Sequence, residues 1–146
     1  MKKLIITGDD FGLSLSVNEA IEEAHRQGIL TTASLMVGAK ATADAVERAR
    51  RIPSLKVGLH LVLVDGLPVL SPQAVPDLVT GKGEFSSHLV RAGISFFSRP
   101  KVRQQLEKEI RAQFQAFQNT GLLLDHVNSH HHMHLHPTVL GLILKV

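Results

Sequence analysis

The sequence predicts an α/β fold built on a parallel sheet, and three observations carry that expectation. Short, almost wholly apolar runs recur along the chain, as strands buried on both faces require. Segments with helical apolar periodicity lie between them, and Gly28, Pro53 and Gly121 punctuate the alternation. The 146 residues, 44% of them hydrophobic, are long enough for one domain with a core.

The first strand is expected over Lys3 to Gly8, a β-rich apolar run that ends at the carboxylate pair Asp9-Asp10. Ser16 and Glu19, three apart, read as a capping box opening a helix with Val17, Ala20, Ile21 and Ala24 on one face, ending near Gly28. Thr31 to Val37 reads as the second strand. Lys40 to Ile52 reads as a helix buried through Ala45, Val46, Ala49 and Ile52, and Pro53 ends it. Val57 to Val64 is the third strand, apolar except for Gly58 and His60.

From about residue 65 to 100 the rhythm breaks. Pro68, Pro72, Pro76 and Pro100 fall there with Gly66, Gly81, Gly83 and Gly93, which predicts an irregular insertion with short helices inside a single domain over 1–146. A helix from about Lys101 to Thr120 carries Val102, Leu106, Ile110, Phe114 and Phe117 on one stripe. Leu122 to Asn128 is the fourth strand, and Pro137 opens a last helix. That helix is apolar and lacks a stop signal, so the pattern resembles four β/α units of something larger.

Composition narrows the function. Lys+Arg exceeds Asp+Glu by 16 to 13, but the basic residues (Arg48, Arg50, Arg51, Arg99, Lys101, Arg103, Lys108, Arg111) are dispersed and Trp and Tyr are absent. A nucleic-acid surface needs them gathered, with aromatics for stacking, so no nucleic-acid partner is expected. Without cysteine there is no thiolate metal site. The apolar run after Lys2-Lys3 is too short for a signal segment or a membrane span, so a cytoplasmic protein is expected.

The histidines are the strongest chemical signal. His130, His131, His132, His134 and His136 place five of the nine in seven positions, which no packing rule requires. Imidazole is the commonest metal ligand. Asp9-Asp10 lies at the carboxyl end of a predicted parallel strand, where ligands bind in such folds. Of two adjacent carboxylates, one can hold a metal while the other takes a proton from water. A plain turn or helix-entry role is the alternative. Alternation puts His60 on the face opposite Leu59 and Leu61; alone it would pass for a hydrogen-bonded core residue. If strand geometry persists, His126, Asn128 and His130 share one face, and Ser129 and His131 the other. His130, first past the strand body, is the preferred ligand, with the other histidines shaping the pocket. His25 and His88 read as structural. An Asp-His-His set leaves coordination positions open for water and substrate and points to metal-dependent hydrolysis. A metal-dependent phosphoesterase is a weaker alternative, lacking a Gly-rich phosphate loop or clustered arginines. A non-catalytic, metal-binding or self-associating half-barrel is another.

The motifs TGDDFGL (Thr7–Leu13), TTASLMV (Thr31–Val37), VGLHL (Val57–Leu61) and NSHHHMH (Asn128–His134) with Pro137 resemble the YdjC-like carbohydrate deacetylase family. The stretch Arg91–Pro100 resembles its hopanoid-biosynthesis-associated branch, HpnK. The resemblance implies a (β/α)-barrel-like fold, here an incomplete barrel of about four β/α units corresponding to the N-terminal half. It implies removal of an N-acetyl group from an amino-sugar conjugate, in that branch an N-acetylglucosaminyl hopanoid. By motif, Asp10, His60 and His130 would hold a divalent ion and Asp9 would be the general base. Mg or Zn is the first choice of ion; Mn, Co and Fe are also admitted. Family members are longer, and a later His-Pro-Gly segment has no counterpart here. The exposed sheet edges of such a piece predict a homodimer.

Overall fold

The computed structural model describes residues 2–146. Four strands, β1 (Thr7–Phe11), β2 (Thr32–Leu35), β3 (Lys56–Leu61) and β4 (Leu124–Ser129), form one sheet in the order β1-β2-β3-β4. The pairs β1–β2 and β2–β3 are parallel. Helices α1 (Leu15–Arg26) and α2 (Thr42–Arg51) supply the first two crossovers. The expected barrel-like α/β fold is the one observed. The chain divides into two compact units, one running through His60 and including Phe117–Asn128, the other comprising Leu61–Ala116 and Ser129–Val146.

The first unit holds the sheet. Phe11, Ala33, Leu35 and Leu59 are fully buried in it. The α2 stripe is as expected: Ala45, Val46, Ala49 and Ile52 are all buried, with Val46 and Ile52 each contributing about 1.5–3 kcal/mol on removal from water.

Two expectations for this unit are corrected. β1 begins at Thr7, not Lys3, and Leu4 and Ile5 are exposed. Apolar character alone does not make a strand. Pairing with β2 starts only at Thr7↔Thr32, after the Thr31 and Thr32 amides have both donated to the Ile6 carbonyl. The cap of α1 is Ser14, whose Oγ accepts from the Val17 amide at 3.2 Å, rather than Ser16. Ala20, expected on the buried face, is exposed, and Asn18 lies in the interior. Asn18 accepts from the Gly12 amide (2.7 Å) and donates to the Ala41 carbonyl (3.0 Å) and Asp44 (2.8 Å), tying α1 to α2. Gly12 makes this turn at φ +101°, where a side chain would be strained.

In the second unit, β3 ends at Leu61 rather than Val64, and residues 62–88 form no helix or regular strand. Helix α3 (Leu89–Ser98) is followed by α4 (Pro100–Asn119). Within this unit the apolar stripe of α4 is buried through Val102, Leu106 and Ile110. A second, polar stripe is buried beside it. Gln105 accepts from the Asp77 amide, Glu109 from the Val69 and Leu70 amides, and Gln113 both accepts from the Val62 amide and donates to its carbonyl. This ladder gives the irregular segment the hydrogen bonds that a sheet would otherwise provide. After β4 the chain makes a tight 3-10 turn, His130–Leu135, and α5 (Pro137–Ile143) opens with proline in its first turn. Among the described residues, no helix is long and apolar enough to cross a membrane.

Candidate active site and metal centre

Asp9 and Asp10 lie within the last residues of β1, where the strand is irregular. Gly8 pairs with Ala33 and Phe11 with Leu35, so β1 carries one residue more than β2 over this stretch. Asp10 takes up the excess in a left-handed conformation, φ 62°. A regular strand would send consecutive side chains to opposite faces. The bulge turns both carboxylates toward one imidazole: Asp10 Oδ1 is 3.2 Å from His60 Nε2, and Asp9 Oδ1 is 3.8 Å from His60 Nδ1.

His60 is 2% exposed, whereas the Asp9 and Asp10 side chains are 47% and 32% exposed. Its Nδ1 bonds the Asn128 side-chain oxygen at 2.7 Å, and the Asn128 amide nitrogen donates to Asp9 Oδ1, also at 2.7 Å. Asn128, on β4, therefore joins Asp9 on β1 to His60 on β3. It is the site residue that the sequence reading gave no role. The available signal was its place on the face shared with His126, two positions before the first clustered histidine.

His126 is engaged elsewhere, with Ser34 Oγ and Asp125 Oδ2, both at 3.0 Å. His25 spans the Leu30 carbonyl and Ser54 Oγ at 2.8 Å each, a structural brace as expected.

The second unit carries the histidine cluster. Strand geometry does not persist to His130 and His131. β4 stops at Ser129, and His131 and His132 are left-handed (φ 53° and 55°), so the expected alternation of faces ends there. The turn is held by Ser129 Oγ, which accepts from the His134 amide at 2.7 Å and pairs with its Nδ1 at 2.9 Å. His131 Nε2 lies 3.1 Å from Asp65 Oδ2, and its ring packs against that of His130 with centroids 4.3 Å apart. His136 sits edge-on to Phe96. Asp65, His130 and His131 each offer a ligand atom within 4.8 Å of the others.

The donor set around His60 fits a cation. Asp9 Oδ1 accepts from the Asn128 amide nitrogen, so the amide oxygen faces His60 Nδ1 and that nitrogen must donate. A neutral ring then points the Nε2 lone pair at the Asp10 carboxylate. Two lone pairs at 3.2 Å repel unless a proton or a metal ion lies between them.

Fold and site together define an α/β protein with carboxylates, an imidazole and an amide gathered from β1, β3 and β4 of one sheet. The YdjC-like protein family model matches residues 3–146, and the chain belongs to that family. It is similar to a carbohydrate deacetylase of Brevibacillus brevis, 45% identical over 99% of this chain and 55% of the relative. Another carbohydrate deacetylase, from Vibrio parahaemolyticus, is 35% identical over 99% of this chain and 55% of its own length. A crystal structure from Enterococcus faecalis, described as a proposed cellobiose-phosphate cleavage protein, superposes with a TM-score of 0.85 at 34% identity. It is matched over 99% of this chain and 54% of its own. The chain thus spans about half the length of the relatives it matches.

Proposed function

We propose that this chain carries the metal-binding and proton-accepting part of a carbohydrate N-deacetylase, a hydrolase that splits the acetamide of an amino-sugar conjugate into a free amine and acetate. The observation that supports this most is the linked set Asp9–Asn128–His60–Asp10, in a chain 45% identical to a carbohydrate deacetylase.

Asp10, His60 and His130 are the proposed ligands of a divalent ion: the Asp/His donor set suits Zn, Mn, Co or Fe, and the family resemblance also admits Mg. His130 directly follows β4, two residues beyond Asn128. A bound ion would supply Lewis acidity toward the acetamide carbonyl and toward water. Asp9 takes the proton of the attacking water; one of its oxygens is held by Asn128, which fixes the direction of the carboxylate.

Within this reading the substrate is a glycolipid of the hopanoid type, handled in the cytoplasm, the compartment expected from the sequence. An apolar aglycone needs apolar protein surface, and Val90, Ile94 and Phe97 stand 77%, 63% and 64% exposed along α3, next to and within the stretch Arg91–Pro100. Self-association as a homodimer is supported by the outer position of β4, where Leu123 and Leu124 are exposed; a monomer by light scattering would refute it.

The test is acetate release from an N-acetylglucosaminyl conjugate, with metal-stripped protein titrated against Zn, Mn, Co and Mg. Release that requires the ion, and is faster with a polycyclic apolar aglycone than with the free sugar, is expected. Failure to bind any of these ions would refute the reading; metal binding without release would leave the metal site standing and favour a metal-binding module over a hydrolase active by itself.

A further inference from the structure

We propose that Asn128 is a positioning residue for this chemistry, its single side-chain amide setting both the tautomer of His60 and the direction of Asp9. The proposal rests on the metal-dependent reading above. A planar amide presents its oxygen and its NH2 group in different directions, and both are used here, each at 2.7 Å. The carboxylate of Asp9 can only accept, so it takes the NH2 side. The oxygen left for His60 carries no proton, so Nδ1 must hold the ring proton, and Nε2 is left as the lone pair facing Asp10 Oδ1 at 3.2 Å.

No other side chain of this size does both. Aspartate at 128 would accept from His60 but meet Asp9 with like charge. Leucine would let the ring proton move to Nε2, the atom needed for the metal. Partners that fix the tautomer of a ligating imidazole typically change metal affinity by roughly 10–100-fold when removed.

The deciding measurement is the ring-proton position of His60 in the metal-free chain, read by long-range 1H–15N NMR. The wild type is expected to hold the proton on Nδ1. Asn128→Ala is expected to give a mixture of tautomers and to weaken binding of zinc alone, followed by calorimetry, by roughly 10–100-fold. Asn128→Asp, which keeps an acceptor oxygen, is expected to retain the Nδ1 proton. A wild-type His60 that carries its proton on Nε2 and none on Nδ1 would overturn the proposal without recourse to any variant. So would folded Asn128→Ala with unchanged tautomer and zinc affinity. If Asp10→Asn and His60→Gln left zinc binding intact, the metal-ion reading would fall instead, while the tautomer result would still decide the role of Asn128.

Discussion

Replacing Gly58 by alanine tests whether the separation of β3 and β4 sets the site. Gly58 lies two residues before His60 and faces His126, two residues before Asn128. A Cβ at Gly58 would stand 2.5 Å from the His126 carbonyl oxygen and 2.6 Å from two of its ring carbons. Ordinary contact begins at 3.4 Å, so the strands must part locally by roughly 0.9 Å, and the nearest obstacle is backbone that no rotamer change relieves. Two residues further along, the 2.7 Å bond between His60 and Asn128 would stretch toward about 3.6 Å, beyond hydrogen-bonding range. Overpacking of this kind costs about 1–3 kcal/mol. For a chain of this length, that lowers the melting temperature by roughly 2–12 °C. Zinc affinity should fall by the same roughly 10–100-fold as on loss of the Asn128 partner. Differential scanning calorimetry and zinc titration read the two effects. A Gly58→Ala protein with wild-type melting and wild-type zinc affinity would show that strand separation does not hold His60 in place.

Asp9→Asn should keep zinc binding within a few-fold while acetate release falls by roughly 10²–10⁴-fold, the usual contribution of a general base; undiminished release from zinc-loaded variant would remove Asp9 from that role. Glu109→Ala strips acceptors from the Val69 and Leu70 amides and from Gln113. At about 1 kcal/mol for each lost bond it should cost about 3 kcal/mol in denaturant unfolding, and a loss under about 0.5 kcal/mol would contradict the bracing role. The carboxyls of Glu22 and Asp44 are held below their ordinary values of 4.5 and 3.8, Glu22 chiefly by its bond to Arg26 and Asp44 chiefly by its bond to Arg48. A carboxyl lowered in the folded state stabilises it above the unfolded value and loses that contribution as pH falls through the folded one. Stability should therefore decline below about pH 4.5. Arg48→Met, measured by melting at several pH values, should make that decline shallower by under about 1 kcal/mol, since the groups are solvent-screened; an unchanged slope would argue against it.

Features that depend on local periodicity were legible in the sequence. The α2 stripe, the apolar stripe of α4, the proline opening α5 and the alternation of strand and helix all follow from repeats of 3.6 or 2 residues and from the fixed torsion of proline. The motif residues Asp9, Asp10, His60 and His130 were also visible, because carboxylates and clustered imidazoles stand out wherever they fall. Tertiary structure alone decided the rest. β1 starts at Thr7 because a strand extends only where its neighbour offers paired groups. Asn18, Gln105, Glu109 and Gln113 are buried because their partners are backbone groups distant in sequence. Asp9 and Asp10 reach the same imidazole through a one-residue bulge, which no residue type announces. Asn128 gains its role only when β4 lies beside β3, because an amide shows what it orients only once both partners are in place.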